Sequence, residues 1–317
     1  MKEISLAVQI GTSRYRNWSS FVMETEYIRA EIIPGLGAKI VSLCYKPTDK
    51  EWLVDAGGRK LVQPKYGSSF GQADMSGWDE VFPTIDPCEA PGYGGHSLPD
   101  HGEVWPLSWD CEFTEREVSC SVEGVAGPYR LTRKLSFPAT DQLQMDYCVV
   151  NHGTEPLPFI WVPHPQFWVS EPTHIVLPST VQEMVCVFGG NTQVTGKHYA
   201  WKELSMVGET QTGDGRKYYI PGIHKEGWCG LVGANSGEWL RMSTDPKKVP
   251  YLGIWVDEGM GNDRNVIALE PSIGYYDRLD RAIGNGTAPV IKPGQTIEWS
   301  LSVSLGTGGI QAGFDLE

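Results

Sequence analysis

Apolar and polar residues alternate with a period of two along much of the chain. The clearest run follows the turn Lys292-Pro293-Gly294-Gln295, where Ile297, Trp299, Leu301, Val303 and Leu305 are separated by Glu298, Ser300, Ser302 and Ser304. Successive side chains of a strand point to opposite faces, so this spacing predicts a strand with one buried face and one wet face. A second strand is expected over residues 143–150, turning through Asn151-His152-Gly153-Thr154 and returning through Phe159-Ile160-Trp161-Val162. Residues 27–33 and 38–45 flank a glycine-rich turn and predict another pair. No long run places apolar residues at i, i+3, i+4 and i+7, so helices should be few. Residues 205–215 are polar and contain glycine, and they read as a loop. Residues 67–106 hold glycine, proline, aspartate and aromatics without sustained alternation. An irregular segment of that length inside a compact domain is usually functional.

Glycine (37) and proline (22) occur throughout and punctuate short segments, which points to an all-β fold. No repeat and no linker of uniform composition divides the 317 residues, so one domain is expected over 1–317. The net charge of −13, without a basic stripe, argues against nucleic acid or an anionic membrane surface as partner. No stretch is long and apolar enough to span a bilayer. Met1-Lys2-Glu3-Ile4-Ser5 opens without an apolar core of the secretory kind, so a cytoplasmic protein is expected. Seven cysteines occur with no C-x-x-C pair. Several sit in apolar runs, as Cys148 does, and they read as buried free thiols of a reducing compartment.

Three clusters can carry chemistry. One is Gly77-Trp78-Asp79-Glu80-Val81-Phe82-Pro83-Thr84 with Leu98-Pro99-Asp100-His101-Gly102-Glu103-Val104-Trp105. The second is Trp161-Val162-Pro163-His164-Pro165-Gln166-Phe167-Trp168, where prolines on both sides restrict the backbone at His164. The third is Ile267-Ala268-Leu269-Glu270-Pro271-Ser272, in which Glu270 would end a buried strand. A buried carboxylate is costly unless paired, and acid–base catalysis is one reason to keep it. Against this stands the ordinary reading of a lone loop histidine as a hydrogen-bonded structural group. His152 reads as a turn residue, and His174, His198 and His224 as structural. His96 and His101 fit no standard metal spacing, so no metal is expected. Trp78, Trp105, Trp161 and Trp168 flank the histidines. Aromatic faces pack against the C–H face of a sugar, though core packing accounts for at least half of the tryptophans. Trp299 belongs to the core.

In this order, the clusters resemble the aldose 1-epimerase (galactose mutarotase-like) family. The resemblance opens with Ile33-Pro34-Gly35-Leu36-Gly37-Ala38-Lys39-Ile40-Val41-Ser42-Leu43. It passes through Asp100-His101-Gly102-Glu103-Val104-Trp105 and His164-Pro165-Gln166-Phe167, and closes with Leu269-Glu270-Pro271-Ser272-Ile273-Gly274 and the terminal strand. It implies a large antiparallel β-sandwich with a sugar cleft across one face. Separately, ring opening needs no cofactor, and a monomer or homodimer is expected. The resemblance implies Glu270 as general base on the anomeric hydroxyl, His164 as general acid on the ring oxygen, and His101 as a substrate-holding group. Asp257 is the nearest match to an aspartate that holds sugar hydroxyls. From the clusters themselves, Trp78, Asp79, Trp105 and Trp168 are further substrate-binding candidates. The arginine that the galactose enzymes place near the sugar has no match here.

The chemistry agrees with the resemblance. Opening a hemiacetal removes a proton from the C1 hydroxyl and delivers one to the ring oxygen, and a carboxylate with an imidazole can do both. Gly92-Tyr93-Gly94-Gly95 lacks the Lys-Ser/Thr of a phosphate loop. Three rivals remain at this level. A sugar-phosphate epimerase-like relative would need an Arg or Lys cluster. A non-catalytic carbohydrate-binding protein would not need Glu270 and His164. A glycoside-cleaving enzyme would need a second carboxylate, which Asp257 or Glu103 could supply.

Overall fold

The computed structural model describes residues 6–314. The Met1–Ser5 segment, from which no secretion signal is read, lies outside the described residues, as do residues 315–317.

Strands dominate and pair antiparallel. A seven-stranded sheet runs in the order Gln9–Tyr15, Trp18–Glu24, Ile28–Ile33, Lys39–Tyr45, Trp78–Val81 and Val162–Pro165, with Lys50–Glu51 paired beside Lys39–Tyr45. A nine-stranded sheet carries Thr296–Gly306 between Gln142–Asn151 and Trp239–Thr244. A six-stranded sheet runs Phe167–Trp168, Asn265–Ser272, Tyr251–Glu258, Asp214–Tyr219, Glu183–Phe188 and His198–Ala200. One continuous core from Met23 to Leu305 takes residues from all three. The architecture is an all-β antiparallel sandwich. Among the described residues the α-helices are Leu279–Gly284 and Ile310–Gly313, and no helix is long and apolar enough to cross a membrane.

The period-two run is the strand Thr296–Gly306, with Trp299, Leu301, Val303 and Leu305 buried. The expected pairs at 27–33 and 38–45 form Ile28–Ile33 and Lys39–Tyr45. The expected return through residues 159–162 does not form. Gln142–Asn151 is paired on one side with Tyr129–Ala139 and on the other with Thr296–Gly306, so neither edge is open. The chain instead pairs Leu157–Pro158 with Val290–Ile291 and Val162–Pro165 with Trp78–Val81. The expectation of free thiols fails at one pair. Cys111 and Cys120 face each other on adjacent strands and form a disulfide. Cys111 lies between Asp110 and Glu112, not in an apolar run. Cys88, Cys186 and Cys229 are buried free thiols, and Cys44 and Cys148 are half-buried ones.

One crossing positions the functional residues. The chain leaves the seven-stranded sheet at Pro165 and enters the six-stranded sheet at Phe167. Gln166 pins the crossing, donating its N–H to Gly77 O at 2.8 Å and accepting from Val54 N at 2.9 Å.

Candidate active site

Glu270 stands in Asn265–Ser272, a strand buried at every position, paired along its length with Tyr251–Glu258 and at Val266 and Ile267 with Phe167–Trp168. Antiparallel register puts Glu270, Gly253 and Tyr219 in one cross-strand row, and Ala268, Trp255 and Lys217 in the next. Residues two apart on a strand share a face, so Lys217 and Tyr219 rise beside Glu270. Gly253 makes room for the carboxylate, since a Cβ there would lie 3.1 Å from Glu270 Oε2. Lys217 Nζ lies 2.8 Å from Glu270 Oε2 and 2.8 Å from Asp277 Oδ1. The Tyr219 hydroxyl donates to Asp277 Oδ1 at 2.7 Å.

His164 comes from the other sheet. Its Nδ1 is 3.0 Å from Glu270 Oε1. An ionised carboxylate only accepts, so Nδ1 carries the proton in this contact and Nε2 is left for another partner. His101 sits in the left-handed region at φ +57°, uncommon for a residue with a Cβ. Its backbone N–H donates to Ile85 O at 2.6 Å, and its Nδ1 is 2.8 Å from Asp100 Oδ1. Phe70 stacks on the His101 ring with centroids 4.3 Å apart and meets His164 edge-on at 5.0 Å. The two imidazole centroids are 5.0 Å apart. Each imidazole thus has a carboxylate on Nδ1 and is braced by the same phenyl ring.

These groups line a cavity of about 410 Å³. Phe70, Met75, Ile85, Trp255 and Met260 form apolar walls, and His101, His164, Lys217, Glu270, Asp86 and Asp277 supply the polar positions. Burial pushes the Glu270 carboxyl upward, but the Lys217 ammonium and the His164 hydrogen bond outweigh it and hold the group at about 2. Burial drives His164 below the ordinary histidine value, and Glu270 only partly opposes it. Burial would lower Lys217, yet Asp277 and Glu270 together hold it above the usual lysine range. Burial also raises Asp100, but the bond from His101 and the Phe70 amide bring it to about 2.

The sequence-derived candidates divide. His101, His164 and Glu270 meet in the cavity. Asp257, Trp78, Asp79, Trp105 and Trp168 are not among its lining residues. Asp257 is fully buried and accepts from the backbone amides of Gly259, Met260, Gly261 and Asn262 at 2.8–3.2 Å. Its carboxylate therefore shapes the loop that brings Met260 to the cavity. Asp79 is buried with its Oδ2 3.1 Å from Lys39 Nζ. Trp78 is fully buried and packs edge-on to Phe167. Trp105 stands behind the wall, edge-on to Phe70, and donates from Nε1 to Asp100 O at 3.1 Å. Trp168 is half-buried beneath the Arg264 guanidinium. Glu103 is buried and accepts from Tyr66, Tyr129 and the Ala126 amide.

The sequence pattern does not single out Lys217, Asp277, Tyr219 or Phe70, which the structure places at the site. Phe70 falls within the irregular segment 67–106, where a functional role was expected. Lys217 and Tyr219 could be placed on one face by strand periodicity, but nothing local says that this face is buried. Among the described residues no group of three or more His, Cys, Asp or Glu is arranged to hold a metal ion.

No family model matches the chain, and no curated protein matches it significantly. Solved structures do match. A galactose mutarotase related enzyme from Lactobacillus acidophilus superposes with a TM-score of 0.67 at 15% identity, over 92% of this chain and 98% of that one. A galactose mutarotase-like protein from Lactobacillus casei gives 0.65 at 16% identity, over 90% and 100%. A TPR-domain containing protein from Parabacteroides distasonis gives 0.66 at 14% identity, over 95% of this chain but 49% of its own. The scaffold therefore occurs inside proteins of different organisation, and function rests on the site rather than on the likeness. At this level of identity the comparison identifies the architecture: the chain has the galactose mutarotase-like fold.

Proposed function

We propose that the protein is a mutarotase that interconverts the α and β anomers of an uncharged aldose by opening and re-closing the ring. The observation that carries this reading is the contact between His164 Nδ1 and Glu270 Oε1 on the cavity wall, with the His101 ring 5.0 Å from that of His164. Glu270 takes the proton of the C1 hydroxyl, and the C1 carbonyl forms as the bond to the ring oxygen breaks. His164 gives a proton from Nε2 to that oxygen. Rotation about C1–C2 and the reverse steps deliver the other anomer, and the protons return to their starting groups. Because Nδ1 already donates to Glu270, the donating His164 is the imidazolium. His101, oriented by Asp100, offers Nε2 to a sugar oxygen. Proton transfer by each positioned group contributes roughly 10²–10⁴-fold.

The charge of the cavity supports an uncharged substrate. Lys217 is the one Lys or Arg lining it among the described residues, and two carboxylates occupy it. A sugar phosphate would meet no free cation there. The carboxylates suggested by sequence for glycoside cleavage, Asp257 and Glu103, are spent on loop amides and core hydroxyls. A binding protein without chemistry would gain nothing from a carboxylate–imidazole pair held out of water.

The test is polarimetry or NMR on freshly dissolved α-aldoses with and without protein. Wild type should accelerate equilibration of at least one free aldose, and Glu270→Gln should lose at least about 100-fold in kcat. Equal rates for wild type and Glu270→Gln on every sugar would defeat the proposal.

A further inference from the structure

Lys217 has no part in the proton transfers just described, yet its ammonium bridges two carboxylates of the cavity. It is buried, with its ammonium 2.8 Å from both Glu270 Oε2 and Asp277 Oδ1. Asp277 is itself held by the Tyr219 hydroxyl at 2.7 Å. The three charges form a carboxylate–ammonium–carboxylate triad of net −1. A buried cation facing a single base would resist that base's protonation, because the proton would leave the cation unpaired. The second carboxylate removes this difficulty. When Glu270 takes up a proton, Lys217 still has Asp277.

We infer that Lys217 and Asp277 are positioning residues: the ammonium fixes the Glu270 carboxylate beneath the reacting sugar, and Asp277 keeps that ammonium paired while Glu270 holds the substrate's proton. The inference rests on the acid–base reading of Glu270 and His164 and adds the two groups that make it workable.

The titratable groups facing this pair come from every packed element. His164 comes from Val162–Pro165, Lys217 and Tyr219 from Asp214–Tyr219, His101 and Asp86 from the irregular segment, and Asp277 from the turn after Asn265–Ser272. Asp79, the cross-strand partner of His164, is paired with Lys39. Within this set the Lys217 charge acts on both catalytic groups in one direction. It lowers Glu270 and it lowers His164.

The test compares Lys217→Met, Lys217→Arg and Asp277→Asn. In the substrate-free protein, the His164 ring signals followed by NMR against pH should titrate at higher pH in Lys217→Met, since the Lys217 charge lowers His164. Lys217→Arg should stay near wild type. Asp277→Asn should move His164 the other way, because the ammonium loses its counter-charge. The descending alkaline limb of kcat/KM should follow the same three directions. A residue that only holds the fold would lower kcat, or the melting temperature, without moving either readout. An unmoved His164 titration in folded Lys217→Met overturns the inference. If that variant does not fold, the downward shift in Asp277→Asn decides, and its absence overturns the inference equally. The NMR readout needs no turnover. A wild-type protein inert on every aldose sinks the mutarotase reading, and the titration still judges the triad by itself.

Discussion

His164 Nδ1 and Glu270 Oε1 lie 3.0 Å apart although their strands belong to different sheets and their positions are 106 residues apart in the chain. The approach follows from the crossing at Gln166, which carries the chain from beside Trp78–Val81 to beside Asn265–Ser272 in three residues. The contact sets the proton inventory of the site. At rest Glu270 is ionised and His164 is neutral with its proton on Nδ1. The working acid is the minority imidazolium.

That inventory fixes the pH dependence of activity. Glu270 is held at about 2, so it is ionised throughout the range above about pH 4 and contributes no limb there. His164 is lowered by burial, so it loses its second proton below the ordinary histidine value. A general acid must be protonated, so kcat/KM should be highest on the acidic side and fall as pH rises through a midpoint below about 6.5. Initial rates of anomer equilibration from about pH 4 to 9, corrected for the spontaneous reaction, would show it. A midpoint above that value would mean that His164 is not the acid in this protonation scheme.

Gly253 predicts a substitution that disturbs geometry and leaves charge alone. A Cβ there would stand 3.1 Å from Glu270 Oε2 and 3.1 Å from the Tyr219 ring, with ordinary backbone angles. Gly253→Ala should therefore fold, at an overpacking cost of about 1–3 kcal/mol, and push the carboxylate by a few tenths of an ångström. Misplacement of a reacting group is expensive, so kcat should drop about 10- to 100-fold while the His164 titration stays in place. Unchanged kcat with a lowered melting temperature would show that Glu270 has slack that the structure does not suggest.

Much of this was legible in the sequence, and the illegible part has a physical reason. Thr296–Gly306 announces itself because one of its faces is wet, which makes its alternation visible. His164 and Glu270 stand out because prolines flank them and because an acid in an apolar strand is conspicuous. Lys217 gives no such sign. Its neighbours Arg216, Tyr218 and Tyr219 are as compatible with an exposed strand, and only the sheet and loops packed around it reveal a buried ammonium. Asp277 lies in a turn, where aspartate is commonplace. The expected return at residues 159–162 fails because local pattern shows that a strand exists but not which edge is free. Cys111 and Cys120 are nine residues apart, and their pairing depends on the cross-strand register of two short strands.

Asp257 shows how a residue can look like a ligand for substrate and serve the loop. Its two oxygens accept from four successive backbone amides, 259–262, and Asn262 Nδ2 in turn donates to Met75 O at 2.7 Å. Hydrogen bonds to a charged group are worth about 1.5–3 kcal/mol. Asp257→Ala should therefore destabilise the loop, raise KM severalfold through Met260 and Gly261, and leave the pH profile unmoved. Amide exchange in the substrate-free variant should quicken at residues 259–262. Normal exchange there, combined with a raised KM, would return Asp257 to direct contact with sugar.

Asp79 yields a prediction of opposite sign to that expected of an ordinary surface aspartate. Burial raises its carboxyl to about 7, against the opposing pull of Lys39 and with the help of Asp74. For an acid with a raised folded value, folding favours the protonated form. The contribution of Asp79 to stability is then complete below its unfolded value of about 3.8 and is lost as pH rises through about 7. Asparagine imitates the protonated form. It also does not strand Lys39, whose Nζ remains 2.6 Å from Asp74 Oδ2. Asp79→Asn should thus gain stability relative to wild type on going from about pH 5 to about pH 8.5, read as the difference in melting temperature between the two proteins. If the variant instead loses ground at the higher pH, Asp79 is ionised in the native state and Lys39 depends on both carboxylates.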